Sequence, residues 1–380
     1  MGIDFTQVEH TPMYICELEK LEKNLQILHK VQEASGAKVI LALKGFAMYS
    51  TFDLVGKYLY GCTASGAYEA RLAREQMNKE VHTYSPAFKD EEIEEIASLS
   101  NDIVFNSPAQ LFRFKDKVKE INPNISLSLR VNPEYSESPV DLYNPCAAFS
   151  RLGTTKANFD EAVLPFLDGL NFHALCEQEV DALEAVLEAF ETNFGPYIDK
   201  MKYVNFGGGH HITKKGYDVN RLIEVIKAFK KRHNNIEVYL EPGEAVGWES
   251  GVLVSKVLDI VDNGMKIAIL DSSAEAHMPD TLAMPYRADV RGSTLPNEKA
   301  YTYRLAGNTC LAGDIMGDYA FDKPLKIGDK VIFEDQIHYT FVKNTTFNGI
   351  KLPSLALWDE KKGLKVVKTF DYEDYKNRLS

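Results

Sequence analysis

At 380 residues, 45% hydrophobic and 26% charged, the chain is long enough for two domains, or for one large barrel with an addition, around an ordinary globular core. Its net charge of −12 argues against a nucleic-acid partner and favours a small cationic one, and no apolar run approaches the roughly 18 residues that span a membrane. Five cysteines (Cys16, Cys62, Cys146, Cys176, Cys310) form an odd set at irregular spacing, with no pair at metal-ligand spacing. Reduced thiols in a cytoplasm, and no metal centre, are expected.

The opening MGIDFTQVEHTPMY has neither the basic region nor the apolar stretch of a secretory leader, and Gly2 lies in a weak context for lipidation. From Leu18 to Ser35, apolar residues at Leu18, Leu21, Leu25, Leu28 and Val31 predict a helix, with Gly36 placed to end it. Strand-like runs then recur at 39–43, 58–62, 81–84, 102–105, 125–131, 170–174, 202–206 and 236–240. Helical stretches alternate with them, among them SGAYEARLAREQM, opened by Ser65 as N-cap, and DVNRLIEVIKAFKKRH. Eight strands alternating with helices predict a (β/α)8 barrel of the TIM type over 15–245. After about Glu244 the pattern changes: GVLVSKVLDIV, KIAIL, YTYRLAG, KVIFED and GLKVVKTF are strands without comparable helices between them. They predict a β-rich, barrel-like C-terminal domain over 246–380, completed by 1–14. The stretch 132–155 is too long for a routine barrel loop and suits a site cover.

A barrel of this kind places its chemistry at the C-terminal ends of the strands. The first run, Val39 to Leu43, ends on Lys44. A lysine there is either the ordinary return to solvent or an amine whose pKa is lowered by burial, poised to attack an aldehyde. The sixth strand ends in NFHALCE, with His173, and the seventh runs into NFGGGHH, with Gly207, Gly208 and Gly209. The eighth ends in YLEPGEA, with Glu241 before Pro242. Each has a bland reading: a tight glycine turn, a hydrogen-bonded core histidine, a capping carboxylate. Together they offer an aldehyde trap, backbone N–H groups for a phosphate, a flat ring for stacking and a carboxylate for a protonated ring nitrogen. Those are the parts that hold pyridoxal 5′-phosphate.

The segments TPMYICELEKLEKNL, LALKGFAMYS, CTASGAYEARLARE, SRLG, VNFGGGHHIT, LEPGEAVGW, LDSSAEAHMPDTLAMPYRADV and GNTCLAGDIMGDYAF carry a resemblance over nearly the whole chain. It is to the fold-type III pyridoxal-phosphate decarboxylases, which include ornithine/arginine and diaminopimelate decarboxylases, and within them to the branch acting on carboxylated polyamines. LDSSAEAHMPD and AGNTCLAGD are its most specific segments.

The resemblance implies that Lys44 binds the cofactor covalently, that His173 stacks on its ring and that Glu241 pairs with the ring nitrogen. It further implies that Gly207, Gly208, Gly209, Gly243 and Tyr339 contact the phosphate. Cys310 matches a cysteine working at the substrate α-carbon, donated by the partner subunit of a homodimer with shared active sites. Asp314 stands near the acidic residue that receives the distal amine. One departure matters: relatives usually carry arginine directly after EPG, where this chain has Glu244. A carboxylate there repels acidic substrate groups and attracts ammonium groups. Glu244, Asp271, Glu275 and Asp280 are therefore expected to help form a polyamine site. The expected reaction is decarboxylation of a carboxylated triamine, and two candidate substrates differing by one methylene are not separable from sequence. The rivals are another enzyme of the fold (a diaminopimelate or ornithine decarboxylase, or an amino-acid racemase) and a non-catalytic regulator. Glu241 argues against the racemase, and the presence of Lys44, Glu241 and Cys310 argues against the regulator.

Overall fold

The computed structural model describes residues 2–138 and 140–380; Pro139, within the long 132–155 stretch, lies outside them. Two compact units emerge. One is Lys23–Val246; the other joins the residues up to Glu22 with Gly247–Ser380.

The first unit is a closed barrel of eight parallel strands: β2 (Lys38–Ala42), β3 (Gly61–Ala64), β4 (Glu80–Tyr84), β5 (Asp102–Phe105), β6 (Ser126–Arg130), β7 (Gly169–Asn171), β8 (Tyr203–Asn205) and β9 (Glu237–Leu240). β1 (Met13–Glu17) precedes them in the chain and belongs to the other unit. Closure comes from β2 against β9, with Lys38 opposite Tyr239 and Val39 opposite Leu240. The strands are buried over most of their length, which is why they read as apolar runs without alternation. The helices between them present one apolar face. In Val219–Arg232, Leu222, Ile223, Ile226 and Phe229 are buried, each stabilising by about 1.5–3 kcal/mol relative to exposure. Asp218 caps that helix by accepting the Arg221 N–H at 2.9 Å, and Lys230, Lys231 and Arg232 complement the carbonyl end.

The expected helix over 18–35 is present as Leu18–Ser35, ended by Gly36 at φ +69°, whose N–H reaches Gln32 O at 2.8 Å. Two local expectations shift. The strand expected over 58–62 begins at Gly61, because the helix Phe52–Tyr58 takes Tyr58 and Leu59 caps its end. A Cβ at Gly61 would lie 2.0 Å from Glu80 O, so only glycine allows β3 to approach β4 there. Ser65 is not the N-cap either: Gly66 takes that position, and the Ser65 N–H instead donates to Glu69 Oε2 at 2.6 Å.

The second unit is a branched sheet. β1 runs antiparallel to β10 (Gly251–Asp262) and parallel to β15 (Ser354–Asp359), which pairs with β16 (Gly363–Lys368). The 12-residue β10 serves two partners sets in turn. Its first half pairs with β1 and β14 (Lys330–Glu334), its second with β11 (Lys266–Leu270), across a register shift between Val257 and Asp259. β12 (Tyr301–Ala306) and β13 (Ile315–Phe321) extend the β11 edge. The edge strands β13 and β14 are linked in turn through 289–294, where Val290 bridges to Phe333 and Thr294 to Ala320, in keeping with the expected barrel-like form. The N-terminal limit of the barrel unit is 22/23, not 14/15, because pairing with β10 and β15 commits β1 to the sheet. Among the described residues no helix is long and apolar enough to cross a membrane.

Candidate active site

The barrel interior carries two polar layers. Near the starts of the strands, His82 and Asp102 are buried with Ser128, Tyr203 and Tyr239 around them. Tyr203 OH donates to Asp102 Oδ2 at 2.6 Å, and Ser128 Oγ donates to Asp102 at 3.1 Å. His82 Nε2 lies 2.7 Å from Glu80 Oε1, which also accepts from Tyr239 OH at 2.8 Å, and His82 Nδ1 lies 3.5 Å from Asp102. Gly169 makes room for the Tyr203 ring; a Cβ there would lie 2.2 Å from it. Burial pushes the Asp102 carboxyl up to about 6, against the His82 charge and the Tyr203 and Ser128 hydrogen bonds. In this layer each of these groups lies within hydrogen-bond or ion-pair distance of another.

The second layer lies past the strand ends. Lys44 follows β2, His173 follows β7, Gly207–Gly209 follow β8, and Glu241 and Gly243 follow β9. The loops are dovetailed. A Cβ at Gly207 would lie 2.4 Å from Phe172 O, one at Gly208 2.4 Å from Glu241 O, and one at Gly209 2.0 Å from Leu175 O. Gly207 and Gly209 also hold φ +70° and +85°, which favour glycine. Gly45 and Gly243 bring the Lys44 loop onto the Glu241 loop, since a Cβ at Gly45 would meet Gly243 Cα at 2.8 Å.

Asn205, the last residue of β8, locks this arrangement. Its Oδ1 accepts the Gly207 N–H at 2.8 Å and its Nδ2 donates to Glu241 Oε1 at 2.8 Å. His173 Nδ1 accepts the Gly208 N–H at 2.8 Å. Burial, then the neighbouring Lys44 and Arg130 charges and His210, hold His173 well below the usual imidazole range, so the ring is neutral. Water reaches the Lys44 side chain, yet barrel atoms crowd it. That loss of hydration, with the Arg130 guanidinium, pulls its pKa below the ordinary lysine value, against the pull of Glu241 and Glu69.

Asn205, Arg130 and Glu69 escaped the sequence reading. Arg130 ends β6, hydrogen-bonds His173 O through Nη2 at 3.1 Å and stacks 4.6 Å over the Tyr84 ring. It gave the same signal as Lys44, a cation closing an apolar run. Asn205 stands two residues before the three glycines, with Phe206 between.

The other expected residues belong to the sheet unit. Cys310 is exposed, its N–H bound to Asn348 Oδ1 at 2.6 Å. Tyr339 is half-buried and opens the turn of helix Tyr339–Val342. Asp314 is buried and accepts from Ala274 N at 2.7 Å, Glu275 N at 3.3 Å, and Thr309 N and Oγ1 at 3.2 and 2.6 Å. Those bonds make it a brace between the 307–314 and 273–277 loops. Asp271 accepts from Lys256 N at 2.8 Å and from Thr11 Oγ1, and Asp280 pairs with Lys343 at 2.6 Å. Glu275 is half-buried. Glu244 is the member of the expected polyamine set that lies in the barrel unit, its Oε2 3.6 Å from His211 Nε2.

The barrel mouth fits pyridoxal 5′-phosphate: a lysine of lowered pKa, a glycine turn with no space for side chains, a neutral imidazole and an anchored carboxylate. Comparison with known proteins agrees. Residues 14–336 match the pyridoxal-dependent decarboxylases with a C-terminal sheet domain. The chain is 56% identical to a carboxynorspermidine/carboxyspermidine decarboxylase of Campylobacter jejuni, over 98% of this chain and 100% of that protein. It is 43% identical to a carboxyaminopropylagmatine decarboxylase of Synechocystis, over 97% of this chain and 95% of that one. The crystal structure of a Campylobacter jejuni carboxynorspermidine decarboxylase complexed with norspermidine superposes with a TM-score of 0.91 at 55% identity, covering 97% of this chain and 100% of that one. With its eight-stranded mouth, its separate sheet and this likeness along its length, the chain belongs to the pyridoxal-dependent decarboxylase family, alongside the carboxynorspermidine/carboxyspermidine decarboxylases.

Proposed function

We propose that this enzyme decarboxylates carboxynorspermidine or carboxyspermidine, releasing norspermidine or spermidine and CO2. The observation that carries this reading is the Glu241 carboxylate, held by Asn205 beside the glycine turn on a loop packed against that of Lys44, in a chain 56% identical to such a decarboxylase. When bound, pyridoxal 5′-phosphate supplies an electron sink for the pair left on carbon as CO2 departs. Lys44 would bind it covalently, its lowered pKa favouring the uncharged, nucleophilic amine. Gly207, Gly208, Gly209 and Gly243, with Tyr339, would approach the phosphate. Glu241 would hold a proton on the ring nitrogen, and neutral His173 would lie flat against the ring without adding charge. A proton must then reach the α-carbon, from Cys310 or Lys44.

Glu244, in place of the arginine usual after EPG, is assigned to an ammonium group of the substrate, with Asp280, Glu275 and Asp271 as further candidates. Asp314 contributes by holding its loop. The chain is further read as a cytoplasmic homodimer with shared sites, Cys310 coming from the partner. Mixing Lys44→Ala and Cys310→Ala subunits, each inactive alone, should then restore roughly a quarter of the wild-type sites at equal amounts and full exchange. No rescue after confirmed exchange overturns the shared site.

The reaction is tested by CO2 release from carboxynorspermidine, carboxyspermidine, carboxyaminopropylagmatine, ornithine and diaminopimelate. One of the first two should be used best. Faster turnover of any of the other three overturns the assignment.

A further inference from the structure

Beyond Glu244, a second carboxylate reaches the same corner of the barrel mouth. Glu177 lies on the loop after β7, four residues past His173, and His211 ends the glycine turn after β8. Ligand atoms of Glu177, His211 and Glu244 all lie within 4.8 Å of one another. Glu177 is exposed, Glu244 half-buried and His211 buried, so the corner is open on one side and walled on the other.

The convergence is built into the backbone. Gln178 and His210 form a parallel bridge, the Gln178 N–H donates to Gly209 O at 3.0 Å, and the His211 N–H donates to Gln178 O at 3.2 Å. Thr213 Oγ1 donates to Ala245 O at 2.6 Å, fastening the third loop to the same frame. Three loops of the barrel end thus aim two carboxylates at one point. Like charges so placed repel, and a cation between them relieves the repulsion. Cys176, beside Glu177, senses both: burial, then the Glu177 and Glu244 charges, push its thiol up to about 11, while Lys44 opposes them. The carboxylate pair and the reactive amine therefore share one electrostatic environment.

Resting on the decarboxylase reading above, we infer that Glu177 joins Glu244 in receiving one ammonium group of the substrate, and that His211 positions Glu244 for it. An ammonium offers three N–H donors, enough for both carboxylates and one further acceptor. Glu177 is then a specificity residue, remote from bond breaking. A divalent cation would suit the same donor set, and the experiment separates the two.

The test uses the cofactor-loaded enzyme and its Glu177→Gln and Glu177→Asp variants, with kinetics on the preferred carboxylated triamine and calorimetry with norspermidine. Glu177→Gln should raise both KM and the norspermidine Kd about tenfold, the loss of one charge-assisted hydrogen bond. Its kcat should stay within about threefold and its cofactor absorption should not change. Glu177→Asp should recover part of the affinity. Unchanged KM and Kd in Glu177→Gln, beside an active wild type, overturn the inference. So does wild-type activity lost to a chelator and restored by Zn2+ or Mn2+, which would make the corner a metal site. A wild type inactive on every carboxylated triamine instead defeats the reading of the reaction, and this assignment falls with it.

Discussion

Both ends of one barrel bury ionisable side chains, and they are finished in opposite ways. Around Asp102, each charged or hydroxylic group meets another at hydrogen-bond or ion-pair distance, in a chain that runs from Tyr239 through Glu80 and His82 to Asp102, Tyr203 and Ser128. At the other end the scaffold is bonded just as tightly, through Asn205, Gly207 and Gly208, but the Lys44 amine is left accessible to water. A perturbed pKa therefore has two meanings in this molecule. Asp102 is perturbed by burial within a network of its own partners, Lys44 by crowding around an amine that, on the proposed reading, serves an incoming molecule.

Removing one member from each end should separate the two meanings. Lys44→Ala should lower turnover by roughly a thousandfold or more and abolish the long-wavelength absorption of bound cofactor, with little change in Tm. Retention of both absorption and activity would show that another lysine does this work. Glu241→Gln should keep the cofactor yet decarboxylate about a hundredfold more slowly, because an amide does not hold a ring proton as a carboxylate does. Near-normal turnover there would take Glu241 out of its role.

Asp102→Ala should do the reverse. Stripping a buried acceptor from Tyr203, Ser128 and His82 should cost about 3–5 kcal/mol of stability, read by chemical denaturation, while activity of the remaining folded enzyme stays within a few-fold. Loss of catalysis without loss of stability would erase the distinction between the layers. The smallest effect is the pH dependence. Burial lowers the His82 pKa, but the Glu80 hydrogen bond and the Asp102 and Glu80 charges outweigh it and raise the value above 6.5. A raised folded pKa gives stability that is fully present below the unfolded value and lost as pH rises through the folded one. Tm should therefore fall from about pH 6.5 upward, and His82→Gln should flatten that slope. An identical slope in the variant would place the titration elsewhere.

Much of this was legible along the chain. Seven of the eight barrel strands lie within a few residues of their apolar runs, because a strand covered on both faces leaves an unbroken hydrophobic signature. β3 slipped because Tyr58, Leu59 and Tyr60 suit a helix end as well as a strand, and only the neighbour Glu80 decides where Gly61 must start. β1 was harder, since its partners lie far away in sequence, with β1 paired to β15 across more than three hundred residues, whereas β13 and β15 went unread although each pairs with a chain neighbour, β12 and β16. Lys44, His173 and Glu241 stood out by ending apolar runs, and the structure places all three just past barrel strands, after β2, β7 and β9. Asn205 and Glu177 did not, because an amide joining two loops, or a carboxylate meeting another on a third, acquires meaning only when the strands close into a ring. Asp314 shows the converse. Its place in a specific motif promised a ligand-facing acid, and its contacts reveal a carboxylate already occupied by its own loops.

Asn205 also works as a gauge. One planar amide touches the glycine turn with its oxygen and Glu241 with its nitrogen, both at 2.8 Å. The span between the glycine turn and the Glu241 carboxylate is thus set by the width of a single side chain, and the two features cannot drift independently. On the proposed reading, a molecule that satisfies one end but has the wrong length would miss the other. The barrel would then measure what it admits with a ruler one residue long.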